Sequence, residues 1–170
     1  MLIVVEGIDG SGKTTLAKEL SGYYKIPIYS MNKDIKYGKF LKEWASGITD
    51  VCIFDFMLQI PKVKVIIDRS LPSNYAYRKG IDNDILGIWY NFVNLLNIKM
   101  IYLFGASNFS RQEPKFSRYK EVCLEDNLEI IRRYDYLNNN MPGGSLLSIN
   151  SLEKNVLEVF NIAKEFLGAN

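Results

Sequence analysis

The stretch VVEGIDGSGKTTL, residues 4 to 16, holds Gly7, four further residues and then Gly12-Lys13-Thr14. That is the spacing of a phosphate-binding loop that leaves a strand and opens a helix. Glycines let the backbone fold around an anion with successive N–H groups pointing inward, and the following helix adds its partly positive N-terminus. Lys13 then reaches the β and γ phosphates, and the Thr14 hydroxyl ligates a Mg²⁺ that bridges them. A second stretch, VIIDRSLPSNYAYRKG at residues 65 to 80, ends an apolar run on Asp68-Arg69. A carboxylate at a buried strand end steers Mg²⁺ or its waters, and the planar guanidinium beside it clamps a phosphate. Asp68 and Thr14 are thus the candidate metal residues, and a nucleoside triphosphate with Mg²⁺ is the implied ligand.

Elements that alternate along the chain must position these residues. Leu2 to Val5, Ile26 to Tyr29, Val63 to Ile67, Ile98 to Phe104 and Ser145 to Ile149 are short apolar runs of strand type. Helical patterns fill the gaps at Lys39 to Ala45, Asp50 to Ile60, Asp84 to Leu96, Tyr119 to Leu137 and Leu152 to Leu167, the last with Asn150 and Glu153 as its capping pair. This alternation predicts an α/β fold, a five-stranded parallel sheet with helices on both faces, with the phosphate loop at the carboxyl ends of the strands. No repeat or linker interrupts it, so residues 1 to 170 read as a single domain.

Composition excludes several chemistries. The 170 residues include no histidine, which removes Ser-His-Asp hydrolysis and histidine metal sites. Lys plus Arg is 21 against 19 for Asp plus Glu, so the net charge of +2 gives no footprint for a nucleic acid polymer. Cys52 and Cys123 lie in apolar, helix-like surroundings and read as reduced, buried thiols. The first apolar run is too short and lacks the basic flank of a signal peptide, and no stretch reaches membrane-spanning length. A cytoplasmic protein without a membrane partner is expected.

On these motifs the sequence resembles the thymidylate kinase family. That family's loop commonly reads Glu-Gly-aliphatic-(Asp or Glu)-Gly-small-Gly-Lys-(Ser or Thr)-Thr, and residues 6 to 15 fit it throughout. Its Asp-Arg motif runs on to positions filled here by Ser73, Asn74, Ala76 and Tyr77, and SRYKE at 117 to 121 is similar to its Asp-Arg-Phe-Glu element. The resemblance implies a P-loop kinase fold that moves the γ-phosphoryl group of ATP onto the 5′-phosphate of a deoxynucleotide, dTMP or a related dNMP. It implies ATP contacts at Gly7, Asp9, Gly10, Ser11, Gly12, Lys13, Thr14 and Thr15. Asp9 would also meet the acceptor sugar or its Mg²⁺, Arg69 the acceptor phosphate, Asn74 the base, and Tyr77 the sugar where a 2′-hydroxyl would otherwise sit. Ser73, Phe54 and Phe56 complete the implied acceptor set, and a homodimer packed through helices is the family's common assembly.

Kinases of this type close a lid over the phosphates. GASNFSRQEPKFSRYK, residues 105 to 120, follows a strand, is polar, and carries Arg111, Lys115, Arg118 and Lys120. Position 10 is Gly rather than the Arg of one subtype's loop, so the missing cation is expected from Arg111 or Arg118. Two departures concern the base. Lys33 stands in YSMNKDIKYG, where the family often has an Arg-containing segment. Aligning Asp55 with the Asp of the family's Phe-x-x-Asp-Arg element puts Phe56 where the thymine-reading Arg belongs. A phenylalanine stacks on a base or walls it off but donates nothing to thymine O4.

Two other readings compete. DRS at 68 to 70, with Gln59 or Asp55 on the FDFMLQI helix, also resembles P-loop kinases that phosphorylate deoxynucleosides at a 5′-hydroxyl. A GTPase switch is disfavoured because MNKD at 31 to 34 lacks the spacer of a guanine-reading motif and lies too early in the chain.

Overall fold

Among the described residues of the computed structural model, five strands and five helices follow one another along the chain. They are β1 (Leu2–Gly7), α1 (Lys13–Tyr24), β2 (Ile28–Ser30), β3 (Val65–Asp68), α2 (Leu71–Tyr77), α3 (Asp84–Leu96), β4 (Lys99–Phe104), α4 (Leu124–Asn139), β5 (Leu146–Asn150) and α5 (Val156–Phe166). The structure describes residues 1–30, 54–55, 57–59, 62–77, 84–105 and 124–168. The expectations at Lys33, Phe56, Arg111 and Arg118, the helix at 39 to 45, both cysteines and nearly all of the lid segment fall outside them.

All pairings are parallel and the strand order is β2-β3-β1-β4-β5. From β1 the chain passes to the edge strand β2, returns to place β3 beside β1, and then continues on the other side with β4 and β5, which puts a topological switch point at the carboxyl end of β1. Each strand is short and apolar because both faces of the sheet are covered. Ile3, Val5, Ile66, Ile101, Leu103 and Ile149 meet Leu16, Ala17 and Leu20 of α1 and Val159 and Ala163 of α5. On the opposite face Leu2, Val4, Ile67 and Met100 meet Leu71 and Tyr75 of α2 and Leu86, Trp89, Phe92 and Val93 of α3. Trp89 is fully buried, and truncating such a side chain to alanine costs about 3 to 5 kcal/mol. A third, smaller cluster of Ile8, Ala76, Tyr102, Ile130 and Tyr134 extends the packing past the end of β1.

Helix α3 spans the residues its apolar spacing predicts, and the strand ends lie within one or two residues of expectation. The start of α5 needs a correction. Its capping box is made by Asn155, whose side chain accepts the Glu158 N–H at 3.0 Å while Glu158 accepts the Asn155 N–H at 2.7 Å. Asn150 is the last residue of β5, paired with Phe104, and its side chain accepts the Leu152 N–H at 3.1 Å. Among the described residues no helix is long and apolar enough to cross a membrane.

Candidate active site

The carboxyl ends of β1 and β3 lead into the two motifs. Gly7, Gly10 and Gly12 have φ values of 142°, 79° and 90°, the left-handed region that favours glycine. At Gly7 space is closed as well, because a Cβ would lie 2.1 Å from the Leu103 carbonyl oxygen on β4. The loop thus lies flat on the neighbouring strand, and Gly12 caps α1 so that the helix N-terminus points into the loop. Gly10, Ser11, Gly12 and Thr15 form one side of a cavity of about 170 Å³, closed by Leu103 and by Lys154, Val156 and Val159 around the start of α5.

Lys13 is 5% exposed. Its ammonium donates to the Ile8 carbonyl at 2.5 Å and to the Ser11 hydroxyl at 3.5 Å. Burial pulls it down to about 8, against the upward pull of Glu6 and Asp68. The Thr14 hydroxyl donates to Asp68 Oδ2 at 2.7 Å, across 54 residues of sequence. The other Asp68 oxygen, Oδ1, is buried and has no hydrogen-bond partner among the described residues. A hydroxyl and a carboxylate with an unused oxygen are the hard donors that Mg²⁺ takes.

On the other side of the loop, Asp9, Arg69 and Tyr77 come together. Arg69 forms an ion pair with Asp9, its guanidinium carbon lies 5.4 Å from the centre of the Tyr77 ring, and the Tyr77 hydroxyl accepts the Asp9 N–H at 3.1 Å. Arg69 itself has φ of 72°, a left-handed backbone that costs a non-glycine residue about 1 to 2 kcal/mol. Asn74 is half-buried on α2.

Two residues of the implied acceptor set sit elsewhere. Phe54 is 1% exposed in the core, with its ring centre 5.7 Å from Trp89 and 5.3 Å from Phe92, so its ring is enclosed by aromatic neighbours and not offered to a ligand. Ser73 is also buried, and its hydroxyl donates to Glu6 at 2.5 Å. Sequence reasoning had given Glu6 no role. Its carboxylate is wholly buried and also accepts the Ser70 N–H at 2.6 Å and the Tyr134 hydroxyl at 3.1 Å. Burial raises the Glu6 carboxyl, opposed by the Ser73 hydrogen bond and by Arg69. Burial, then Glu6, holds the Tyr134 phenol well above its usual range. A carboxylate directly after the apolar run Leu2 to Val5 was the signal, since it needs partners wherever the strand is covered.

A phosphate-binding loop at the switch point of a five-stranded parallel sheet, helix-covered on both faces, defines the P-loop kinase class. Solved structures agree on the fold. The thymidylate kinase from Candida albicans superimposes with a TM-score of 0.65 at 17% identity, covering 99% of this chain and 91% of the other. The deoxyadenosine kinase from M. mycoides with bound dCTP gives a TM-score of 0.62 at 17% identity, with full coverage of both chains. No family model matches the chain. Among curated relatives, a putative thymidylate kinase of Acidianus bottle-shaped virus is 34% identical over 143 residues, 78% of this chain and 86% of the relative. The thymidylate kinase of Campylobacter jejuni is 31% identical over 131 residues, 66% and 68% of the two chains. The chain belongs to the thymidylate kinase family, and as such is a nucleoside monophosphate kinase.

Proposed function

We propose that this kinase transfers the γ-phosphoryl group of ATP to the 5′-phosphate of a deoxynucleoside monophosphate, dTMP or a related dNMP. In balanced form, the bond between the γ-phosphorus and the β,γ-bridging oxygen breaks, a bond from an acceptor phosphate oxygen to that phosphorus forms, and ADP leaves with the diphosphate product. The observation that carries this reading is the Asp9–Arg69–Tyr77 group beside the loop that holds Lys13 and Thr14. It offers a guanidinium for a second phosphate within reach of the first.

Phosphoryl transfer needs positioning and fixed positive charge more than covalent help. In this reading the loop N–H groups and Lys13 hold the donor phosphates. Thr14 and Asp68 would hold Mg²⁺, which would lower the charge repulsion between donor and acceptor. Arg69 leaves Asp9 to hold the acceptor phosphate with its planar fork, and Asp9 turns to the acceptor sugar. Tyr77 fills the space beside C2′, and Asn74 approaches the base. One of Arg111 and Arg118 supplies the remaining cation. With Phe56 in place of the guanidinium-bearing residue, the base is selected by stacking and shape, which widens the choice beyond thymine.

The test is a panel of the four deoxynucleosides and their 5′-monophosphates, each incubated with ATP and Mg²⁺ and scored for product. Diphosphate formed from monophosphates alone is the expected result. Monophosphate formed from a nucleoside would overturn the reading in favour of a deoxynucleoside kinase, and ATP hydrolysis without an acceptor would point to a switch.

A further inference from the structure

The centre of the sheet spends a buried charge where an aliphatic residue would continue the strand. Glu6 follows Leu2 to Val5 on β1 and is 0% exposed. A buried carboxylate is costly unless its lone pairs are used. Glu6 uses them on three donors far away in sequence: the Ser70 N–H at 2.6 Å, the Ser73 hydroxyl at 2.5 Å and the Tyr134 hydroxyl at 3.1 Å. Ser73 and Tyr134 are themselves 3.0 Å apart, so the triangle is closed.

The position of the first donor matters most. Arg69 N–H donates to the Val5 carbonyl at 3.1 Å, and the next N–H, that of Ser70, donates to Glu6. Two consecutive amides are thus pinned to two consecutive residues of β1, and the residue between those pins is held at φ of 72°. A non-glycine residue stays in that region only when its surroundings over-determine it. The left-handed turn in turn aims the Arg69 side chain along the loop toward Asp9 and over Tyr77. Release of the Ser70 pin lets Arg69 relax toward ordinary backbone angles and swings the guanidinium away.

We infer that Glu6 is a positioning residue for the acceptor phosphate, acting through Arg69 by clamping the turn that follows β3 to the end of β1. This rests on the reading of Arg69 as the acceptor-phosphate ligand. Tyr134 brings α4 into the same clamp, so the acceptor side of the site is tied to three elements by one carboxylate.

The experiment is a double-mutant cycle on Glu6→Gln and Arg69→Ala, read as KM for the acceptor, KM for ATP and kcat. The acceptor is dTMP, or the best monophosphate of the panel above. Glu6→Gln keeps a single acceptor oxygen: turned to the Ser73 and Tyr134 hydroxyls it retains both of their bonds and sets its NH₂ against the Ser70 N–H, which releases that pin. Acceptor KM is expected to rise about tenfold while KM for ATP stays within about twofold. In the Arg69→Ala background the same substitution is expected to add less than about twofold, because the group it acts through is gone. Equal losses for both substrates, or a Glu6→Gln penalty that simply multiplies that of Arg69→Ala, would overturn the inference, as would unaltered kinetics. If Glu6→Gln does not fold, Tyr134→Phe removes one donor and keeps the ring. It is expected to raise acceptor KM about threefold with the same loss of effect in Arg69→Ala, and proportional changes in both substrates would again overturn the clamp. Wild-type turnover is measured first: a wild type inactive on every monophosphate strikes the assigned reaction, and the inference falls with it.

Discussion

Titrating the fold with and without its buried lysine tests how the loop carries its cation. Burial lowers the Lys13 ammonium from the usual 10.5 to about 8. At about 1.4 kcal/mol per pH unit, that gap amounts to about 3 kcal/mol. The sign follows from where the proton is held. Below pH 8 the lysine is charged in both states, and the native state bears the whole cost of burying it. Between about 8 and 10.5 the native state releases the proton and the unfolded chain keeps it, so stability rises with pH; above 10.5 the contribution is constant. Lys13→Met keeps an apolar stem of similar length and removes the titration. Urea unfolding of both proteins at pH 7, 8, 9 and 10 should show the wild type gaining about 2 to 3 kcal/mol on the variant across that range. Buried phenols lose stability at still higher pH, Tyr90 being pushed up to about 12, so only the difference between the curves is read. Parallel curves would refute the burial argument. The same proton governs the chemistry: kcat/KM for ATP should fall roughly tenfold per pH unit above about 8. Turnover of Lys13→Met should be lower than wild type by several orders of magnitude at pH 7, with the gap narrowing above pH 8 as the wild-type ammonium loses its proton.

Gly7→Ala drives a Cβ against the Leu103 carbonyl with backbone on both sides, and should cost at least about 3 kcal/mol in urea unfolding; an unchanged midpoint would contradict the packing. Arg69→Lys keeps the charge but loses the fork, so kcat/KM for the acceptor should drop about 10- to 100-fold with KM for ATP unchanged. Tyr77→Ala should abolish a preference of about 10- to 100-fold for deoxynucleotides over ribonucleotides, while Tyr77→Phe retains it and loses the bond from the Asp9 N–H; a ratio unaltered in the alanine variant removes Tyr77 from the sugar. Asn155→Ala should destabilise the fold by about 1 kcal/mol without kinetic effect. Asn150→Ala should cost less, and the reverse order would contradict the capping box at Asn155.

Much of the frame was legible because both cores follow from periodicity. The run Leu2 to Val5 reads as a doubly covered strand, and Leu86, Trp89 and Val93 mark the buried face of α3. What failed was the choice between locally equivalent patterns. Asn-x-x-Glu occurs at 150 to 153 and again at 155 to 158, and either could open a helix. The pairing of Asn150 with Phe104, continued by the Ser151 N–H donating to the Phe104 carbonyl at 2.8 Å, keeps the first copy in the sheet. That pairing joins residues more than forty apart, beyond the reach of a local pattern. Phe54 failed likewise, since aromatic residues on a helix suit a base or a core equally, and Trp89 and Phe92 decide for the core.

Glu6 and Asp68 show how neighbouring strand positions divide the labour of two carboxylates. Val5 lies beside Asp68 in the parallel register, so their side chains share a face of the sheet. Val5 packs on the face covered by α1, which is why Asp68 meets Thr14 at the start of that helix. Glu6 is one residue further along β1 and therefore points to the opposite face. There it finds Ser73 on α2 and Tyr134 on α4. A one-residue step in a strand thus sends one acid to Thr14 of the phosphate-binding loop and the other to Ser73 and Tyr134. Side-chain length suits each position. The shorter aspartate stays against the loop with one oxygen unpartnered among the described residues, and the longer glutamate crosses to two helices with both oxygens engaged. Exchanging the two acids would leave the clamp short and crowd the loop, so the identity of each carboxylate is set by the distance it must span.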